Sequence, residues 1–499
     1  ISKEPHSIKH PEERTKVRDY LYDRLTSLGV DTRYLRYDSV KDRFGDYIDI
    51  ANLYGVIEPS DEKRATSYVL LMAHLDSRYK MKRGEEWVCS YGAADDGYGL
   101  GVIIELIRII NYYRDNLSQG VKILFTDSEE SDLEGIKNSI QKDNHLFDNV
   151  GLIVNIEARG IKGPVVMFET TSGNSKLSKL YSKGKYLCSY SFTNAIYKIL
   201  PNYTDFSFIK DKYPGLNFAV IDNLNYYHTE LDNFSNISLV SIQQYGEQIS
   251  PIIKEYLTNQ KYSDPEYLFD DSDNLFFSIP LVGFFVITPG LHLLLFLLFV
   301  SVFITISYFT FLNNKNSLFN SLKSLSVIIL SSVSLAAVSF LISLLLAHLN
   351  DIKFYFTYLP FVNNEYTIFI FFLCLFIFVN ILIYRCLIKK MKIEHIEIQI
   401  SAIFLIIILS LLLQLFINDS ILFSLVMMLS VLSYIVGNHV FLRNFLFIPL
   451  FLISVFSIQI IYLLYVALTI GSLSILILII SLILWQILPI AGVYLKRDI

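Results

Sequence analysis

The sequence predicts an α/β protein in two parts: an α/β/α sandwich with a mainly parallel central sheet, then an all-α multi-pass membrane bundle. Three observations carry this reading. Short apolar runs alternate with helical segments in the first part, as in a parallel sheet covered on both faces. Long apolar stretches fill the second part, most near the ~20 residues that cross a bilayer. Charge is split accordingly along the 499 residues.

The whole chain is 53% hydrophobic and 18% charged. Its mean hydropathy is +0.44. An ordinary soluble domain carries about 25% charged residues. This excludes a single cytosolic enzyme filling the chain, and it excludes disorder. Four cysteines are too few for a disulfide scaffold. Residues 290–499 hold ten Lys/Arg and six Asp/Glu; residues 1–289 hold 32 and 41, a net charge of −9. No basic footprint for nucleic acid is present. The expected organisation is a catalytic-type domain at 1–262, a linker or interfacial lead-in at 263–289, and a membrane domain at 290–499. Within the lead-in, Phe276–Thr288 is too short to span and carries Pro280, so it reads as a buried strand or interfacial segment. The chain begins with Ile1 rather than Met, which leaves an upstream signal or anchor helix open.

In the first part, residues 11–29 read as a helix ending at Gly29. Apolar runs follow at Ile48–Ile57 and Tyr68–Ala73, then an amphipathic helix at Gly99–Tyr113. Strands are expected at Val121–Thr126, Val150–Ile156 and Leu216–Ile221, with a last helix near Leu239–Leu257. In the second part, about seven spans are expected, near 290–312, 321–348, 366–386, 398–417, 420–437, 443–466 and 470–493. The fifth is short, and the break near Gly471 is the least marked.

If seven helices alternate, one face collects Lys315, Lys323, Arg385, Lys389, Lys390, Lys392, Arg443, Lys496 and Arg497, and the other only Lys353. This bias places the basic face and the C-terminus in the cytoplasm and residues 1–289 on the extracytoplasmic side. His292 and His348 sit near span ends, and Asn380 and Gln414 are isolated. So few ionisable groups favour an anchor and scaffold over a transporter. Anchoring needs one helix, so seven leave room for a protein partner or a membrane-embedded substrate of the bundle.

The chemistry-bearing residues sit where strands end, the edge at which parallel sheets gather functional groups. His74-Leu75-Asp76 follows one run, Asp127-Ser128-Glu129-Glu130 the next, and Glu157 a third. Gly92-Ala93-Ala94-Asp95-Asp96-Gly97 lies between strand and helix, and Tyr226-Tyr227-His228-Thr229 follows the Leu216 strand. Two imidazoles and several carboxylates suit zinc. Asp95 is a candidate bridge between two ions, and the Glu129-Glu130 pair offers a base beside a ligand. Each piece alone has a plain alternative: a structural His-x-Asp pair, a solvated helix start, a strand-end Glu, a packed Tyr-His pair. Their ordered combination points to a metal centre.

That combination resembles the zinc aminopeptidase family that contains aminopeptidase Y, bacterial aminopeptidase S, glutamate carboxypeptidase II and glutaminyl cyclase. The segments Asn155–Gly160, Thr204-Asp205-Phe206, Gly215–Ala219 and Tyr227–Asp232 resemble its multi-pass endoplasmic-reticulum and vacuolar membrane branch. The resemblance covers most of residues 10–260 and implies a zinc-exopeptidase-like fold. It implies that His74 and Glu157 bind one zinc, Glu130 and His228 a second, and that Asp95 bridges them. It implies Glu129 as general base, Tyr227 as oxyanion stabiliser, Asp76 as the residue orienting His74, and a cis peptide at Asp95-Asp96. Two departures stand out. Glu157 occupies a place that is commonly Asp in the soluble aminopeptidases, and Asp132 and Ile136 follow the Glu pair where Gly and Ser are frequent.

The expected function is therefore a membrane-anchored, two-zinc metallopeptidase of aminopeptidase-like exopeptidase type, acting on a peptide or protein. The alternatives are a zinc-dependent acyl transferase of the same fold, such as a glutaminyl cyclase or a transamidase, and an inactive scaffold. Cys89 and Cys188 form a disulfide if the domain is extracytoplasmic and they meet. Cys374 and Cys386 read as small apolar residues of the third span. Sequons at Asn116, Asn202, Asn233 and Asn236 matter only in a secretory lumen.

Overall fold

A computed structural model describes residues 1–59, 65–83, 86–197, 203–314, 316–356, 359, 361–438 and 441–495. Asn202, Lys315, Lys496 and Arg497 lie outside the described residues. The chain forms two compact units: Ile1–Ser278 with Gly283–Val286, and Ile279–Val282 with Ile287–Ile499.

The first unit is built on a seven-stranded sheet. Its strands are β1 (Asp31–Lys41), β2 (Tyr47–Ile57), β3 (Tyr68–His74), β6 (Gly120–Thr126), β7 (Val150–Ala158), β8 (Lys162–Thr170) and β9 (Gly215–Asp222), in the order β1-β2-β6-β3-β7-β9-β8. The short pair β4 (Met81–Arg83) and β5 (Glu86–Val88) stands apart from it. The four central strands, β6, β3, β7 and β9, are parallel. β1, β2 and β8 are attached antiparallel at the two flanks. The sheet is thus mixed, with the expected parallel part confined to its centre. β1 and β8 carry no strong apolar alternation, and the sequence reading does not include them.

Period-two alternation explains the layers. On β3, Val69, Leu71 and Ala73 enter one core with Leu21 and Leu25 of α1 (Pro11–Ser27), Ile103 and Leu106 of α2 (Gly97–Asn111), and Ile249 and Ile253 of α6 (Leu239–Thr258). Leu70 and Met72 enter the opposite core, with Ile136 of α3 (Glu134–Lys142) and Leu146, Phe147 and Phe206. Every residue of β3 is buried, as expected of a strand covered on both faces. Each fully buried aliphatic or Phe side chain contributes about 1.5–3 kcal/mol relative to exposure. The helix α5 (Ser191–Tyr197) packs against β8, and α4 (Ser175–Tyr181) packs against α6.

The first unit extends past residue 262. Asp273 accepts from the amides of Gly173 and Asn174 (2.8 and 3.0 Å). β10 (Leu275–Ile279) pairs with β11 (Gly283–Ile287), and Phe277 bridges to Tyr190. Phe276 is fully buried in the first core. No disulfide joins Cys89 to Cys188.

The second unit is all helical: α7 (Pro289–Asn313), α8 (Ser317–Leu349), α9 (Glu365–Lys389), α10 (His395–Ile417), α11 (Ile421–Asn438), α12 (Phe447–Leu468) and α13 (Leu473–Leu495). Among the described residues, six helices are long and apolar enough to cross a membrane; the exception is the short apolar helix Ile421–Gly437. These helices make the unit a multi-pass membrane domain.

Candidate metal centre

The parallel register brings the site together. His74 ends β3 opposite Thr126 of β6. Met72 pairs with Asn155 on β7, so His74 and Glu157, each two residues further on, reach the same edge on the same face. Their closest atoms, Nε2 and Oε2, are 3.8 Å apart.

Asp95 sits in the turn before α2. Gly92 adopts φ +62°, and a Cβ there would lie 3.0 Å from the Ser77 side chain and 3.1 Å from the Asp95 carbonyl oxygen. Asp96 caps α2 by accepting from the Gly99 amide (2.9 Å). The Asp95-Asp96 peptide is cis, as the resemblance implies. Asp232, 137 residues further along the chain than Asp95, grips the turn, accepting from the amides of Ala94 (2.7 Å) and Asp95 (3.3 Å) and from the Ser90 hydroxyl (3.1 Å). The sequence places Asp232 at the end of the Tyr227–Asp232 segment but gives it no role of its own.

The two oxygens of Asp95 then face different imidazoles. Oδ1 lies 3.2 Å from His74 Nε2, and Oδ2 lies 3.2 Å from His228 Nε2. Glu130 Oε1 is 2.9 Å from His228 Nε2. His74, Asp95 and Glu157 form one group of converging donor atoms; Asp95, Glu130 and His228 form another; His74, Glu129 and Glu130 form a third. His228 adopts φ +63°, an uncommon conformation for a residue with a side chain. The Tyr227 ring stacks on its imidazole at 3.6 Å between centroids.

Asp76 lies against His74. Its backbone carbonyl meets His74 Nδ1 at 2.9 Å, with its carboxylate Oδ1 further off at 3.7 Å. The carboxylate accepts instead from the amides of Glu129 (3.0 Å) and Glu130 (3.3 Å). It thereby holds the loop carrying both glutamates. Asp127, at the start of that loop, is buried and paired with Arg14 (3.2 Å) and Arg18 (3.0 Å). Arg78 donates to Glu130 Oε2 at 2.9 Å. Arg14, Arg18 and Arg78 carry no sequence signal, since each is decided by packing.

The donor set fits a cation. A carbonyl only accepts, so His74 Nδ1 carries a proton and Nε2 is the ring nitrogen that faces the carboxylates of Asp95 and Glu157. Burial opposes protonation of Nε2, but hydrogen bonds to Asp76 and Asp95 and the charge of Glu129 outweigh it and raise His74 well above the usual imidazole range in the metal-free fold. Two buried carboxylates meet at each imidazole, an excess of negative charge that a bound cation would offset. Glu130 Oε1 and His228 Nε2, though close, form no hydrogen bond with any group. Ligands about 2.0–2.1 Å from a tetrahedral zinc lie about 3.3 Å from one another, and the observed separations of 2.9–3.8 Å bracket that value. Without a cation the acids repel. Burial, with Asp95 nearby, pushes Glu157 up to about 8 and Asp232 up to about 7. Burial also raises Glu129 well above the usual carboxylate range. For Glu130 burial pulls the same way, but His228 and Arg78 outweigh it and hold the group well below that range.

Residues 52–253 match the model of peptidase family M28. The chain carries a peptidase family M28 domain. Members of this family are zinc metallopeptidases. Endoplasmic reticulum metallopeptidase 1 of Mus musculus is 29% identical over 228 residues, 44% of this chain and 24% of that protein. Vacuolar membrane protease of Schizosaccharomyces pombe is 26% identical over 199 residues, 39% of this chain and 22% of that protein. The matches thus span about a quarter of the length of these relatives. A crystal structure of Porphyromonas gingivalis glutaminyl cyclase aligns with 21% identity and a TM-score of 0.39, covering 51% of this chain and 93% of that one.

Proposed function

We propose that this M28 domain is a two-zinc exopeptidase anchored by its membrane bundle and acting on peptides on the extracytoplasmic side. One observation carries the two-ion reading: the single carboxylate of Asp95 faces His74 with one oxygen and His228 with the other. His74 and Glu157 complete one set of ligands, and His228 and Glu130 the other.

Zinc, when bound, supplies Lewis-acid polarisation of the scissile carbonyl and a water acidic enough to ionise near neutral pH. The protein's own groups do the rest. Glu129, beside His74 and Glu130, accepts the proton from the attacking water and returns it to the leaving amine. Its environment, which favours the protonated acid, suits the second half of that cycle. The Tyr227 hydroxyl stabilises the developing oxyanion. Asp76 orients His74 through its carbonyl and Glu129 through its carboxylate.

The extracytoplasmic side rests on the basic residues of alternate helix connections and requires the short α11 to cross as well. Protease protection in sealed vesicles of known orientation tests it. The enzymatic reading is tested on the full-length protein by zinc content per chain and by cleavage of unblocked peptides with and without chelator. Two zinc ions and chelator-sensitive release of terminal residues are expected. One zinc ion with cyclisation of N-terminal glutamine, and no cleavage, would replace this reading with the acyl-transferase one.

A further inference from the structure

A cavity of about 350 Å³ opens beside Glu130. It falls at the lower end of small-molecule pockets, which span about 300–1,000 Å³. Three cations, Arg43, Arg78 and Lys80, line it. Aromatic walls come from Phe44, Tyr79 and Trp87. Phe44 and Tyr79 meet edge to face at 5.7 Å, and the Lys80 ammonium lies 4.8 Å over the Trp87 ring.

The charge of this cavity is unbalanced in a particular way. Its two carboxylates, Asp76 and Glu130, are both committed: Asp76 to the Glu129 and Glu130 amides, Glu130 to Arg78 and His228. Among the described residues the Arg43 guanidinium donates only to the Glu130 carbonyl (3.4 Å), and neither Arg43 nor Lys80 has an ion-pair partner there. Two unmatched cations therefore face a half-apolar space that begins at a proposed zinc ligand. Arg78 links the two, with Nη1 on Glu130 Oε2 while lining the cavity.

We propose that this cavity is the subsite for a carboxylate of the peptide substrate, borne by a residue flanking the scissile bond and held by Arg43 and Lys80. The proposal rests on the metallopeptidase reading and adds the substrate class: peptides with an acidic side chain or a free C-terminal carboxylate beside the cleaved bond. Arg78 is a positioning residue, since it acts on Glu130. The aromatic walls hold the methylenes of an acidic side chain or the backbone of a terminal residue.

The test uses the full-length, zinc-loaded protein in detergent. Two matched pairs of peptides are compared, one Glu against Gln beside the cleaved bond and one free acid against C-terminal amide. At least one charged member should have a kcat/KM tenfold or more above its neutral partner. The pair that differs identifies the source of the carboxylate. The R43Q/K80Q double variant should shrink that ratio at least fivefold, and added salt should shrink it in the wild type. Binding is read separately by titrating Trp87 fluorescence with glutarate and with glutaramide, the W87F variant giving the Trp485 background to be subtracted. Glutarate alone should give a saturable change, weakened at least fivefold in R43Q/K80Q. Ratios within twofold of unity, a ratio unmoved by R43Q/K80Q, or equal responses to glutarate and glutaramide would overturn the subsite. If no peptide is cleaved, the metallopeptidase reading fails, and the glutarate titration still decides the subsite.

Discussion

The two units solve the burial of polar groups in opposite ways. In the first, charged side chains are buried in numbers and held by partners, as Asp127 is by Arg14 and Arg18 and Asp232 by the turn at Ser90–Asp95. In the second, large apolar side chains face outward, as Leu297, Phe309 and Leu415 do, while small polar groups turn inward, as Ser324, Ser343 and Asn380 do. The surrounding solvent explains the inversion. Water rewards a polar exterior, and lipid rewards an apolar one and obliges polar groups to find partners within the protein. Buried charge is costly unless matched, so its concentration at the β3, β6 and β7 ends marks where the first unit spends stability on chemistry.

The largest break in this contrast is expected at the base. Glu129→Gln removes a proton carrier but no proposed ligand, so turnover should fall by about 10²–10⁴-fold while zinc content stays within error of wild type. Retained turnover would sink the assignment of Glu129. Asp95→Ala should strip the site, because both ligand sets share that carboxylate. Elemental analysis after desalting should find little zinc, and two tightly held ions would refute the bridge. Asp232→Ala releases the turn that aims Asp95, and zinc affinity should drop by about 10–100-fold, measured by competition with a chromogenic chelator.

The pH response sharpens the comparison. Glu157 and Asp232 bind protons more tightly in the fold, near 8 and 7, than at their ordinary values of 4.5 and 3.8. The metal-free fold therefore holds more protons than the unfolded chain between those limits, and its stability falls as pH rises from about 4 toward 8. Melting of the first unit after chelation should shift downward from pH 5 to pH 8, and zinc should restore it most at the upper end. A flat profile without zinc would contradict the buried-acid account. The smallest effect is expected in the bundle. The Asn380 amide donates to Ser481 (3.1 Å) and to the Phe376 carbonyl (2.8 Å). Such interhelical bonds average about 0.6 kcal/mol, so Asn380→Ala should lower the melting temperature in detergent only slightly and leave peptide cleavage unchanged.

The sequence by itself determined the two-part architecture, the strand-end placement of His74, Glu129, Glu130 and Glu157, and the short fifth helix. These follow from periodicity and hydropathy, which act over a few neighbouring residues. It did not determine the antiparallel flanks β1 and β8, the extension of the first unit to Ser278, or the parts played by Arg14, Arg18, Arg78 and Asp232. Those depend on partners tens to hundreds of residues away, and a lone arginine or aspartate reads as a solvated surface group until packing removes its water. Asp76 shows the limit best. Its place beside His74 was legible, but which of its oxygens meets the imidazole was decided by the loop returning from β6, whose two amides claim the carboxylate and leave the carbonyl for the ring.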